Sequence, residues 1–254
     1  MGRVIEPLRR MGAEIKAEAN GEFAPLHIRG SVLKPIRYVL PVPSAQVKSA
    51  ILLAGLYTEG ETEVVQELPS RDHTERMFEW MGLPVKVNGL SVRIAGNVAF
   101  RGREMTIPRD SSSAAFFMAL GLLHPDAEIH LPGILANPLR TGHLEVLQKG
   151  GASIRQKNPL VMTGESVVDI HVSSANVTAM EIGPDVMPRL IDEIPILAVV
   201  AARCSGTTRI RGAMELRVKE SDRIAAIVDM LTAFGVRVEE RVDGMEIIGG
   251  KELR

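Results

Sequence analysis

Three stretches of this sequence follow one plan, beginning near residues 44, 113 and 192. Each opens with an apolar helix (45–57, 114–123 and 194–202), passes through a β-prone segment and a polar turn, and ends on a second helix. The second helices stop at Trp80-Met81-Gly82, Gln148-Lys149-Gly150-Gly151 and Thr232-Ala233-Phe234-Gly235. A period of about 70–80 residues exceeds the roughly 20–50 of a solenoid, so each copy is expected to be a subdomain. Pro7-Leu8-Arg9-Arg10-Met11-Gly12-Ala13 begins the chain as a fragment of a fourth copy.

The first helix of each copy is apolar nearly all round and must be buried on most sides. Pro195 falls in the first turn of the third, where a missing N–H does no harm. Ile224, Ile227, Val228 and Leu231 give the last helix a single apolar stripe. The closing glycines suit the left-handed residue after a helix. The segments 236–239 and 245–248 alternate as half-buried strands, with a turn expected at Asp243-Gly244. Each copy therefore reads strand–helix–strand–helix–strand–strand, a mixed α/β class. The junction Thr106-Ile107-Pro108-Arg109-Asp110 is the best boundary, giving domains over 1–107 and 108–254.

Lys and Arg total 30 against 31 Asp and Glu, a net charge of -1, and aromatics are 4%. That balance argues against a nucleic-acid surface, which needs basic charge and stacking platforms. The single Cys204 can make no internal disulfide, which points to a reducing compartment such as the cytoplasm. It is expected to be buried and inert at the end of an apolar helix. The N-terminus lacks the apolar run of a secretory signal, and no apolar stretch approaches the ~20 residues of a membrane span. No Walker, dinucleotide or His-Glu-x-x-His motif is present, and His73 and His143 are read as helix-surface residues.

Three polar clusters stand at the ends of apolar elements. Ser44 can cap the first helix, and with Ala45 and Gln46 it opens a helix N-terminus that would attract an anion. Asp192 and Glu193 read either as first-turn acids favoured by the helix dipole or as a general acid or base. The run Arg217-Val218-Lys219-Glu220-Ser221-Asp222-Arg223 reads either as a solvated turn, with Ser221 or Asp222 capping the next helix, or as a grip on phosphate or carboxylate. Composition does not separate these readings.

The motifs Ser44-Ala45-Gln46-Val47-Lys48-Ser49-Ala50, Ser70-Arg71-Asp72-His73-Thr74-Glu75, Asp110-Ser111-Ser112-Ser113-Ala114-Ala115-Phe116, Asn137-Pro138-Leu139-Arg140-Thr141-Gly142, Asp192-Glu193-Ile194-Pro195 and Leu216-Arg217-Val218-Lys219-Glu220-Ser221-Asp222-Arg223 stand in the order found in the 5-enolpyruvylshikimate-3-phosphate synthases. Across essentially its whole length the chain resembles that family, and its wording is most similar to the bacterial, glyphosate-tolerant class. Arg109 departs from the glycine usual before the Asp. The resemblance implies two inside-out α/β barrel domains of βαβαββ units, here incomplete in both. It implies transfer of an enolpyruvyl group from phosphoenolpyruvate to the 5-hydroxyl of shikimate 3-phosphate, with no cofactor or metal, in a usually monomeric protein. Ser44, Ala45, Gln46 and Arg71 would bind shikimate 3-phosphate, with Ser70 beside them. Asp192 would accept the 5-hydroxyl proton, Lys219 would contact substrate, Glu220 would exchange protons with the methylene carbon, and Arg223 would hold phosphoenolpyruvate. Asp192 and Glu220 are thus the expected catalytic pair.

The family is normally longer. It begins with a Lys-Ser…Arg anion-gripping loop before the point matching Met1-Gly2-Arg3-Val4, and it continues beyond Lys251-Glu252-Leu253-Arg254. The expectation is a chain truncated at both ends, catalytically silent in isolation, with an uncovered apolar helix face that promotes association. Two alternatives stay open: a noncatalytic fragment that binds shikimate 3-phosphate weakly, and the UDP-N-acetylglucosamine enolpyruvyl transferases, which share the architecture but carry a reactive loop cysteine.

Overall fold

One order of elements is built repeatedly in the computed structural model, which describes residues 1–18 and 23–250. The chain's last four residues, used above to place it against the family's length, lie outside the described residues. The chain opens with α1 (Gly2–Arg10) and the antiparallel pair β1 (Glu14–Glu18) and β2 (Phe23–Arg29). That is the helix–strand–strand tail of a unit. Gly12, at φ +101°, makes the exit from α1 that the Met-Gly pair suggests.

The first full copy comprises β3 (Arg37–Val39), α2 (Ala45–Gly55), β4 (Glu61–Val65), α3 (His73–Met81), β5 (Val85–Asn88) and β6 (Ser91–Ala95). Its sheet runs β3-β4-β6-β5, with β3 and β4 parallel and the other pairs antiparallel. The second comprises α4 (Ser111–Leu123), β7 (Glu128–Leu135), α5 (Gly142–Lys149), β8 (Ser153–Met162) and β9 (Glu165–Ser173), in the order β7-β9-β8. A parallel bridge from Arg109 to Ile134 stands where the first strand would. The third comprises β10 (Glu181–Ile182), α6 (Ile194–Arg203), β11 (Thr207–Ile210), α7 (Arg223–Ala233), β12 (Arg237–Arg241) and β13 (Gly244–Ile248), in the order β10-β11-β13-β12. Strand order and sense match those of the first copy.

The likeness extends to single residues. Gly96 follows β6 and Gly249 follows β13. A Cβ on Gly96 would lie 2.4 Å from the Gly55 carbonyl, and one on Gly249 would lie 2.2 Å from that of Ala201. Each sheet presses its last strand against the end of its own first helix, and only glycine permits that approach.

The chain divides into two compact units, Met1–Thr106 and Ile107–Arg254. The core of the first gathers Val47, Ile51 and Leu52 of α2, Phe78 of α3, and Val64, Val92 and Ile94 of the sheet. In the second, α6 lies inside: Leu197, Ala198, Val200 and Ala201 are buried, and α4 packs beside it. Burial on most sides, as expected of the opening helix, holds best for α6, which exposes no apolar residue. α4 leaves Phe116, Phe117 and Leu120 more than half exposed, and α2 leaves Leu53 exposed.

Two further expectations need correction. The last hairpin turns at Val242 and Asp243, since Arg241 pairs with Gly244. Gly244 is already in the strand, where a side chain would collide with the Ile210 carbonyl. His143 lies on the buried face of α5, fully covered, instead of on the helix surface.

Candidate functional site

The expected residues fall into two clusters, one in each unit. In the first unit, Ser44 is extended (φ −144°) and its hydroxyl accepts from the Val47 N–H at 3.4 Å, the N-cap expected of it. An uncharged cap satisfies one backbone donor and leaves the positive helix end without a carboxylate of its own. Ala45 and Gln46 form the first turn, with Gln46 exposed. Arg71 lies in the segment between β4 and α3 and is half-buried. Its neighbour Ser70 is tied down twice: its hydroxyl donates to the buried Gln66 side chain, and its carbonyl accepts from Lys48 Nζ at 3.4 Å. Lys48 belongs to the first turn of α2, so one side chain links the helix carrying Ser44 and Gln46 to the segment carrying Arg71.

In the second unit, Asp192 sits in a 3-10 turn, Ile191–Glu193, just ahead of α6. It therefore precedes the α-helix and is not one of its first-turn acids. Lys219 Nζ is 4.0 Å and Arg223 Nη1 is 3.8 Å from Asp192 Oδ1. Arg223 also donates through Nη2 (2.6 Å) and Nε (3.2 Å) to Glu220 Oε2. Asp192, Lys219, Glu220 and Arg223 thus form one group of two carboxylates and two cations. The Glu220 carboxyl is held below the usual range by its own backbone N–H and then by the Arg223 guanidinium. The rest of that charged run is structural. Asp222 caps α7 by accepting from the Ala225 N–H at 3.1 Å, and Arg217 donates to Asp222, Glu240 and two hairpin carbonyls.

A third constellation was not assigned a role from sequence. Asp110 caps α4, accepting from the N–H groups of Ser112 and Ser113 and from the Ser113 hydroxyl. Burial opposes its charge, yet those hydrogen bonds and Arg140 prevail and hold its carboxyl low. Arg140 donates to Asp110 at 3.2 Å and to the Ser112 hydroxyl, which in turn donates to the buried Glu193 beside Asp192. His143 meets Ser111 at 3.4 Å, and burial, aided by Arg140, pushes its pKa down to about 4. Sequence motifs flagged Asp110 and Arg140, but only the fold brings Arg140 from the β7–α5 turn to the helix they guard. Cys204 is buried as expected, and burial pushes its thiol up to about 11.

Among the described residues, no three His, Cys, Asp or Glu side chains converge as a metal site, and no helix is long and apolar enough to cross a membrane. Two clefts in the second unit, of about 420 and 680 Å³, are lined by other residues, such as Glu145 and Arg189 in one and Asn176 and Cys204 in the other.

The family model described as EPSP synthase (3-phosphoshikimate 1-carboxyvinyltransferase) matches residues 1–254. The chain belongs to this family. It is 50% identical to the 3-phosphoshikimate 1-carboxyvinyltransferase of Synechococcus elongatus, over 100% of this chain and 57% of the relative. It is 49% identical to that of Geobacillus thermodenitrificans, over 99% of this chain and 58% of the relative. The solved structure of EPSP synthase from Acinetobacter baumannii superposes with a TM-score of 0.88 at 42% identity, covering 99% of this chain and 57% of that one. The enolpyruvyl transferase NikO from Streptomyces tendae shares the fold, with a TM-score of 0.69 at 17% identity. The mixed α/β fold is therefore that of the enolpyruvyl transferases, in part: the chain spans little more than half the length of the curated relatives it matches. Arg109 contributes its backbone to the bridge, donating to Gly133 and accepting from Leu135.

Proposed function

We propose that the two clusters serve the transfer of the enolpyruvyl group of phosphoenolpyruvate to the 5-hydroxyl of shikimate 3-phosphate, with release of phosphate. The observation that carries this reading is the grouping of Asp192, Lys219, Glu220 and Arg223, drawn from two separate segments into one set of paired charges. Met1–Thr106 would belong to the shikimate-side domain and Ile107–Arg254 to the other. The substrates are small, soluble polyanions, which suits a protein of the cytoplasm.

Both substrates need cationic forks and helix ends at fixed positions. In the first unit, Ser44, Ala45, Gln46 and Arg71 would hold shikimate 3-phosphate. In the second, Arg223 would take phosphoenolpyruvate and Lys219 would contact substrate. Addition puts a proton on the methylene carbon of phosphoenolpyruvate and forms a bond from the 5-oxygen to its neighbour carbon. The 5-hydroxyl proton passes to Asp192. Elimination then breaks the carbon–phosphate oxygen bond, returns the electron pair to phosphate, and removes a proton from the new methyl group. Glu220 suits that exchange because Arg223, after Glu220's own backbone N–H, holds its proton affinity down. Drawing the guanidinium onto phosphoenolpyruvate removes one of the groups that keep Glu220 ionised and raises its affinity for a proton.

The test is phosphate release from phosphoenolpyruvate, dependent on shikimate 3-phosphate, by the pure chain and by Asp192→Asn. Turnover lost in the variant supports the reading. A second reading is favoured by the 57% coverage of the relatives: the chain alone binds shikimate 3-phosphate without turning it over. Saturable binding without phosphate release would select it. A folded chain that does neither would refute both.

A further inference from the structure

We infer that the buried Lys48–Glu75 ion pair is a positioning device for the substrate-binding residues of the first unit and not a source of stability. The inference rests on the reading of Ser44, Gln46 and Arg71 as the grip on shikimate 3-phosphate.

Lys48 and Glu75 are 1% and 4% exposed, and Lys48 Nζ lies 2.5 Å from Glu75 Oε1. The second carboxylate oxygen of Glu75 is buried with no hydrogen-bond partner among the described residues. Removing two charges from water is costly for each ion, and the mutual attraction offsets this only when the remaining lone pairs are satisfied. Here one is not. Apolar residues of similar volume are often at least as stable in such a place, and the same two helices already contribute Val47, Ile51 and Phe78 to the core of this unit.

The location explains what the pair does. Lys48 is in the first turn of α2, Glu75 is in the first turn of α3, and the same ammonium reaches the carbonyl of Ser70, the residue before Arg71. Three segments meet at one nitrogen, which has donors in several directions for the purpose. Ser49 and Thr74, hydrogen-bonded at 2.6 Å, tie the same two helices a second time. Arg71 lies outside any helix or strand, so the hold on the Ser70 carbonyl helps to fix the backbone that carries its guanidinium. An apolar pair would pack but would release the Ser70 carbonyl. Lys48 and Glu75 are thus positioning residues acting through Ser70.

The test compares the 254-residue chain with Lys48→Met/Glu75→Leu, using urea unfolding, calorimetric titration with shikimate 3-phosphate, and backbone hydrogen exchange. The expected result is an unfolding midpoint equal to or above the parent's, affinity weakened by about tenfold or more, and faster exchange confined to residues 68–72. Glu75→Gln, which keeps an acceptor for the ammonium, should show a smaller loss of affinity in the same direction. Parent-like affinity and parent-like exchange at 68–72 in the double variant would overturn the inference. So would loss of its cooperative unfolding, because the pair would then be holding the fold. If the parent binds no shikimate 3-phosphate, the proposed function fails for this chain, and exchange at 68–72 still decides the positioning role by itself.

Discussion

α2 and α4 open two copies of one unit, yet their N-terminal ends are electrostatic opposites. α2 is capped by the neutral hydroxyl of Ser44 and flanked by the exposed Gln46. α4 is capped by the carboxylate of Asp110, itself held by two backbone N–H groups and Arg140. One helix end has no anion of its own, and the other carries one. The third copy differs again: α6 has no side-chain cap, and a 3-10 turn ahead of it presents Asp192. The fold repeats through apolar spacing and glycine, while the chemistry is set by one or two residues at each helix start.

The two units also hold their charges differently, and substitutions can sharpen that contrast. The largest effect is expected at Lys48. Lys48→Met strands a buried carboxylate and should cost about 3–5 kcal/mol in urea unfolding, even though the paired replacement with Glu75→Leu does not. Arg223→Met, which breaks partly exposed contacts at 3.8 Å and to the exposed Glu220, should leave the midpoint nearly unchanged. Equal losses at the two sites would erase the distinction between a buried clamp and an adaptable surface group.

The next effect is one of pH and belongs to the second unit. His143 has a folded-state pKa of about 4, below its ordinary value. The unfolded chain therefore binds the proton first as pH falls. Stability present above about pH 6.5 should decline towards pH 4 by about 3 kcal/mol, at roughly 1.4 kcal/mol per pKa unit. His143→Gln should flatten that part of the profile, as read by thermal unfolding at several pH values. An unchanged slope would place the acid sensitivity elsewhere.

The smallest effects test the helix ends directly. Ser44→Ala and Asp110→Ala should each cost about 1 kcal/mol of stability as lost caps. Only the first should weaken binding of shikimate 3-phosphate. Weakening by both would mean that the two ends are not distinct in function.

Much of this was legible in the sequence, because repetition and apolar spacing report directly on elements. The three opening helices, the glycine stops and the Ser44 cap all follow from neighbours within four residues, and of the two candidate caps Ser221 and Asp222 the structure selects Asp222. What was not legible depends on residues distant in sequence. Lys48 has no role that its neighbours in sequence reveal, because the Glu75 brought against it lies 27 residues on. His143 reads as a surface residue until α4 supplies Ser111. Phe116, Phe117 and Leu120 suggest a helix buried all round, yet they face outward, because apolar character states a preference and not what is present to satisfy it. The hairpin turn was displaced by one residue because Gly244 is required by the Ile210 backbone and not by the turn.

The proposal at the centre of this account is that the N-terminal end of α2 and Arg71 bind shikimate 3-phosphate. Calorimetric titration of the chain with that compound, beside Gln46→Ala/Arg71→Met and Asp110→Ala, tests it most directly. The account predicts saturable one-site binding by the parent and by Asp110→Ala, and its loss in the Gln46, Arg71 double variant. Binding that survives in the double variant, or none in a parent shown to be folded, would contradict it.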